Sequence, residues 1–275
     1  MPGFDILADM TVVAPSGLAD WLMARGQHFV TTREVAELVD VDPDVVSESL
    51  QRAREARKIV SVSKGAWVPV PPEYRDAGAP PPLHYIDALM RHLGHDYYVG
   101  FLSAARLHGA SHQVPMVLQV VTPALLRDRV IGRNRIEFIR RSATRDRPTT
   151  ARNVPTGRVA VSTPEVTVLD LVGSPGQGGG LGNVATVIGD LLHEHALHGD
   201  ALATVAGGYP VVVAQRAGYL VEHMANELDL PIDLDALERL VTDAASTLLD
   251  VHQPRHGDVD RRWHVIVNTD IEHEL

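Results

Sequence analysis

Between Gly17 and Pro71 the apolar positions recur at helical spacing in three short blocks and then switch to alternation. In "PSGLADWLMARGQ" Leu18, Leu22 and Met23 form one stripe behind Ser16 as a helix cap, and Gly26 supplies the stop. "VTTREVAELVDV" repeats the plan, with Thr32 as cap, Glu34 and Glu37 close behind it, and Val35, Ala36 and Leu38 turned inward. A third helix opens at Asp42 as cap, with Pro43 at the first helical position, where the missing N–H costs nothing. Advancing about 100° per residue from Pro43 to Lys58 gathers Val46, Leu50 and Ala53 into an inward stripe with Arg57 near its edge. The same rotation turns Asp44, Ser47, Glu48, Gln51, Glu55 and Lys58 outward, with Arg52 and Arg54 on the flanks. Ile59, Ser61 and Ser63 then alternate with Val60 and Val62, Lys64-Gly65 makes a turn, and Ala66-Trp67-Val68 resumes: a β-hairpin.

Helix, helix, tight turn, helix and hairpin over about 55 residues is the order of a winged helix-turn-helix. The same pattern also fits a small helical subdomain that serves only as an interaction surface. The stretch "VPPEYRDAGAPPP" reads as a linker, giving residues 1–70 as a first domain, 71–82 as the connection and 83–275 as a second. There the pattern predicts two helices broken at Gly94-His95-Asp96, strands at Met116–Thr122, Arg135–Arg141 and Arg158–Ser162, and a helix capped by Thr163-Pro164-Glu165. Helical periodicity follows at 183–198, 211–228 and 234–250, with a closing strand at Trp263–Asn268. The expected class is α+β: a winged helix-turn-helix, then a larger mixed domain with a small, mostly antiparallel sheet and a helical C-terminal part.

Composition narrows the chemistry. With 275 residues, 45% of them hydrophobic, two cores or one large core with an appendage are expected. There is no cysteine, hence no disulfide framework, thiolate nucleophile or zinc ribbon, and a reducing, cytoplasmic setting fits. No leader pattern opens "MPGFDILADMTVV", and no apolar run approaches the roughly 20 residues that span a bilayer. The net charge of −10 argues against a general nucleic-acid binder, but it is unevenly spread. Residues 1–70 carry 7 Lys+Arg against 10 Asp+Glu, residues 71–158 carry 13 against 7, and residues 159–275 carry 5 against 18. Much of the basic middle is "LLRDRVIGRNRIEFIRRSATRDR", with Arg127, Arg129, Arg133, Arg135, Arg140, Arg141, Arg145 and Arg147. These guanidinium groups either grip nucleic acid or an acidic partner, or pair with the acidic final third of the same chain.

Catalytic arrangements are not built well. "GSPGQGGGLGN" follows a helix and lacks the Gly-Lys-Ser/Thr ending of a phosphate loop, so a flexible surface loop is expected at 173–183. His193, Glu194, His195 and His198 do not make His-Glu-x-x-His and read as a solvated helix face, so neither metal nor cofactor is expected. Ser103, His108 and His112 lack the glycines and leading strand of a nucleophile elbow; the expected structure is a packed helix ending at Gly109, followed by a loop holding His112 and Gln113. No catalytic residue is assigned, and the chain is read as a non-enzyme.

Four tracts, "YYVGFLSAARLHGASHQVPMVLQVVTP" (97–123), "VAVSTPEVTVLDLVG" (159–173), "AQRAGYLVE" (214–222) and "DRRWHVIVNTDIE" (260–272), lie behind the helix-rich N-terminus. Together they resemble AbiEi-type antitoxins of the AbiE abortive-infection toxin–antitoxin systems. The resemblance implies a non-enzymatic antitoxin whose N-terminal domain binds inverted repeats in its own promoter as a repressor. It further implies that the C-terminal domain counteracts a cognate nucleotidyltransferase toxin. On the third helix Ser47 and Gln51 are the expected base readers, since Gln can bond two edges of adenine. Phosphate contacts fall to Arg33, Arg52, Arg54, Lys58 and Lys64, with Arg127, Arg129, Arg133, Arg135, Arg140 and Arg141 as further nucleic-acid or partner contacts. Five principal cations are few, so binding as a dimer on a palindrome, or as a monomer helped by the basic middle, is expected. The alternative is an interaction module that uses the winged helix for dimerisation or toxin contact without binding DNA.

Overall fold

The computed structural model describes residues 17–110 and 117–272; Ser16, His112, Gln113 and Met116 lie outside the described residues. The chain opens with α1 (Leu18–Ala24), β1 (Val30–Thr31), α2 (Thr32–Val39) and α3 (Pro43–Glu55), followed by a hairpin of β2 (Ile59–Ser63) and β3 (Ala66–Pro69). The cap of α2 is Thr31 and not Thr32: the Glu34 N–H donates to the Thr31 hydroxyl at 3.1 Å, and the Thr31 N–H donates to the Glu34 carboxylate at 2.7 Å. Thr32 instead accepts the indole N–H of Trp67 at 2.9 Å. Asp42 caps α3 as expected, accepting from the Asp44 N–H at 2.8 Å, with Pro43 first in the helix.

Val46, Leu50 and Ala53 are buried against Leu18, Leu22, Val35 and Trp67. Leu38, expected inward, is 48% exposed, because Val35, Ala36 and Val39 fill the inward arc of α2 and leave Leu38 about 60° outside it. Arg57 falls beyond the end of α3, exposed and at φ 55°. The three strands pair antiparallel in the order β1-β3-β2, and all four residues of central β3 are buried. Ile59 and Val62, three positions apart on β2, fall on opposite faces of the strand and so enter different cores, with a register shift between Ser61 and Ser63.

The Pro-rich stretch is not a free connection. It turns through a 3-10 segment at Pro72–Tyr74 and lies against the tip of a second hairpin. There the Arg133 N–H donates to the Ala77 carbonyl at 2.8 Å, and the Asn134 side chain donates to the Pro80 carbonyl at 3.1 Å. Gly132 makes the approach possible: at φ +60°, any Cβ would sit 2.2 Å from the Ala77 oxygen. Val62, Ala66 and Val68 of the first hairpin share a core with Ala79, Tyr85, Ile86, Leu89 and Ile136.

Next come α4 (Ile86–Leu93), β4 (Tyr98–Val99), α5 (Phe101–Leu107), β5 (Val117–Thr122), β6 (Arg129–Ile131), β7 (Asn134–Arg140), β8 (Thr149–Val154) and β9 (Gly157–Ser162). The six strands form one sheet in the order β6-β7-β5-β4-β9-β8. It is larger and more mixed than expected: three pairings are antiparallel, but β5–β7 and β4–β9 are parallel. Period-two alternation splits its side chains. Val99, Val120, Ile136, Phe138, Val159 and Val161 face α4, whereas Tyr98, Val121, Ile139 and Ala160 face the C-terminal helices.

Those helices are α6 (Pro164–Gly173), α7 (Leu181–His193), α8 (Gly199–Ala206), α9 (Val211–Glu227) and α10 (Asp235–Val241). Thr163 caps α6 through the Val166 N–H, and every residue from Glu165 to Val172 is buried. The helix expected over 183–198 ends at His193, with His195 at φ 52° breaking it; α8 follows. The one expected over 234–250 ends at Val241 and yields to β10 (Thr247–Leu248). β11 (Val259–Asp260) and β12 (Val265–Ile266) complete a three-stranded sheet in which only Val265–Ile266 of the expected closing strand pairs. The Gly-rich stretch is a built turn, not a loose loop. Gly178 is buried so closely against Leu171 and Val184 that a Cβ would meet them at 2.8 and 2.7 Å.

Trp263 is fully buried on Gly218 of α9 and donates its indole N–H to Glu222 at 2.6 Å. A Cβ on Gly218 would lie 2.1 Å from the Trp263 ring. Gly218→Ala should therefore destabilise the chain by about 1–3 kcal/mol through overpacking, although the same change in an open helix gains roughly 1 kcal/mol. Urea unfolding decides the sign, and Trp263→Ala should cost about 3–5 kcal/mol in the same assay.

Candidate functional site

The outward side of α3 is a mixed polar surface. Ser47 is half-buried; Gln51, Arg52 and Arg54 are exposed. Arg52 pairs with Glu48 at 3.4 Å and Arg54 reaches Gln51 at 3.5 Å, so these side chains are preoccupied with one another along the helix. On α2 Arg33 pairs with Glu37 at 2.9 Å. Both ion pairs are largely exposed, and such i,i+4 pairs are worth only about 0.3–0.5 kcal/mol, so a stronger anion displaces them readily. Lys58 is half-buried and 3.5 Å from Asp20, while Lys64 stands exposed at the tip of the β2–β3 hairpin. Leu38, Val41 and Val45 form an exposed apolar rim around the α2–α3 turn.

The arginines of 125–147 separate into three groups. Arg129 donates to the Val62 carbonyl and bridges β6 to the first hairpin, and burial lowers its pKa. Arg135 and Arg145 make exposed ion pairs with Asp128 at 2.8 Å and Asp96 at 2.6 Å; Arg140 donates to the Pro123 carbonyl at 3.3 Å; Arg127 and Arg133 are exposed. The carboxylates that take up Arg135 and Arg145 thus come from the basic middle itself and not from the acidic final third, where pairing was expected as one alternative. Arg141 and Arg147 do reach that third, by another route. Arg141 donates to the Ser174 hydroxyl at 2.6 Å. Arg147 donates to the Gly208 carbonyl at 2.8 Å and lies 3.5 Å over the Tyr209 ring.

These two arginines border a cleft of about 350 Å³ between α6, the start of α9 and the segment after β7. Asp170 sits at its floor, only 3% exposed, accepting from the Tyr98 hydroxyl at 2.7 Å and the Tyr209 hydroxyl at 3.0 Å. Burial pushes the Asp170 pKa up, against the opposing pull of both tyrosine hydroxyls and of the Arg141 and Arg147 charges. Burial, and then the neighbouring Asp170, push both tyrosines up, so they remain neutral donors. Sequence reasoning missed this group apart from Arg141 and Arg147 of the Arg-rich segment, because Tyr98, Asp170 and Tyr209 are 72 and 39 positions apart in their two hydrogen bonds.

The arrangements set aside from sequence have other roles. Ser103 donates to the Val117 carbonyl at 3.2 Å and accepts the Gln119 N–H at 2.9 Å, fastening α5 to β5. His108 bonds the Ser162 carbonyl through Nε2 at 2.7 Å, and burial lowers its pKa. Among the described residues, no group of three or more His, Cys, Asp or Glu side chains is placed to hold a metal ion, and no helix is long and apolar enough to cross a membrane.

Residues 98–223 match the model of the AbiEi antitoxin C-terminal domain, the stretch that holds the cleft, α5 to α8 and most of α9. A crystal structure of the Rv2827c protein from Mycobacterium tuberculosis superposes with a TM-score of 0.63 at 17% identity, covering 91% of this chain and 89% of that one, which shows a shared fold. No curated protein matches the sequence.

The Asp170 environment has a measurable signature. A carboxyl whose folded pKa is raised stabilises the folded chain below its ordinary value of 3.8, and that contribution is lost as pH climbs through the raised value. Asp170→Asn removes the titration. The stability of wild type relative to Asp170→Asn should therefore fall as pH rises above about 4 in a series of urea unfolding curves; a difference that stays constant with pH contradicts the assignment.

Proposed function

We propose, starting from a chain that carries an AbiEi antitoxin C-terminal domain over residues 98–223, that this protein is an antitoxin that also represses its own operon. The partner of the C-terminal part, residues 83–275, is a nucleotidyltransferase toxin, which it counteracts as a regulator and not as an enzyme. The N-terminal part, residues 1–70, is a winged helix-turn-helix that binds inverted repeats in the operon's promoter. The observation that carries the DNA reading is the order α1, α2, turn, α3, hairpin, with the polar side of α3 exposed next to a hairpin whose tip is Lys64.

In this reading α3 enters the major groove, Ser47 and Gln51 contact base edges, and Arg33, Arg52, Arg54, Lys58 and Lys64 grip phosphates. Glu37 and Glu48 release Arg33 and Arg52 to the DNA because their exposed pairs are weak. Arg127 and Arg133, exposed in the basic middle, add charge. Each copy contributes few cations, so affinity comes from two copies on a repeated site.

The exposed rim of Leu38, Val41 and Val45 supports a second reading, in which the same unit binds protein, either the toxin or a second copy, without DNA.

A gel shift with the upstream region and a scrambled control separates the two; equal or absent binding to both sequences leaves only the protein-contact reading. Gln51→Ala should cost about 1–3 kcal/mol of specific affinity with an unchanged salt slope, whereas Lys64→Ala should flatten the slope by about 1. If both substitutions act alike, the division between base reading and phosphate grip is wrong.

A further inference from the structure

The cleft over Asp170 has the makings of a ligand site. Arg141 and Arg147 flank it, and the acceptors that fix them are uncharged: a serine hydroxyl, backbone carbonyls and the face of Tyr209. Among the described residues neither guanidinium makes an ion pair with a carboxylate, in contrast to Arg135 and Arg145 nearby in sequence. Asp170 feels both charges but bonds to neither, since its two oxygens are taken by Tyr98 and Tyr209.

The cleft is therefore electropositive at its mouth, with a carboxyl group held back at the floor and disfavoured from ionising by burial. The start of α9 at its rim has no side-chain cap, which adds positive partial charge on the same side. One wall is apolar, with Leu169, Pro210 and Val213. Planar guanidinium forks suit phosphate oxygens, and a volume of about 350 Å³ exceeds what a bare phosphate fills.

We infer that this cleft binds a phosphorylated small molecule, its phosphate between Arg141 and Arg147 and its organic part on the apolar wall. The site is separate from the proposed DNA-reading surface, so it stands or falls independently of operator binding.

Calorimetric titration of the full chain with inorganic pyrophosphate and, in parallel, with ADP tests it. Saturable binding at one site per chain is expected, weakened at least tenfold by Arg141→Gln and by Ser142→Glu. The second change puts a carboxylate on the exposed rim without removing a packed side chain. Arg255→Gln, exposed and absent from the cleft lining, should leave the titration unchanged. ADP binding tighter than that of pyrophosphate is expected, because the organic part lies on the apolar wall; ADP binding no tighter than pyrophosphate overturns the place given to the organic part. Absence of saturable binding to either probe, or an equal loss in Arg255→Gln, overturns the site itself.

Discussion

The Asp170 carboxylate, bonded by the hydroxyls of Tyr98 and Tyr209, joins three parts of the molecule that are distant in sequence. Tyr98 belongs to a short central strand of the sheet, Asp170 to the buried helix α6, and Tyr209 to the turn before α9. A buried carboxyl group without hydrogen-bond partners is costly whether ionised or neutral, and the two hydroxyls offset that cost where α6 is buried. Once α6 is fixed, α5, α7, α8 and α9 pack around it, and the Gly-rich turn, closed tightly over Leu171, completes the enclosure. The cleft bordered by Arg141 and Arg147 is the open side of this junction.

What could be read from sequence was local. Asp42-Pro43 and Thr163-Pro164 mark helix starts whose caps are supplied within three residues, and Val46, Leu50 and Ala53 give a period that needs no knowledge of their partners. The two-residue strands β1, β4, β10, β11 and β12 were missed or overdrawn because so short a strand is defined by its neighbour and not by its own alternation. The error at Thr31 and Thr32 has the same origin, since Trp67, 35 positions away, engages the second hydroxyl. Composition misled at both flexible-looking stretches. Glycine and proline at 70–82 and 173–183 serve close approach of backbone to backbone or to side chains, visible only when the opposing Ala77–Gly132 and Leu171–Gly178 surfaces are known.

The charge asymmetry along the chain likewise has a local resolution. Arg135 and Arg145 meet Asp128 and Asp96 within the basic middle, and Arg262 in the acidic third gathers Glu222, Asp235 and Glu238 around itself. Counting charges by region therefore overstates the field that any surface presents. On the outward side of α3, Glu48 is partly neutralised by its neighbour Arg52.

The first hairpin has two apolar sides: Ile59 and Trp67 close the N-terminal core, while Val62, Ala66 and Val68 close the core over α4. With Arg129 reaching across to Val62 and the Pro-rich stretch bonded to the β6–β7 turn, the two regions of the chain are not interchangeable cassettes. Grafting the N-terminal seventy residues onto another scaffold would leave three hydrophobic side chains facing water unless the recipient offered a matching surface. Divergence in this architecture is thereby coupled, because a change of recognition unit must be accompanied by a remodelled sheet face that receives it.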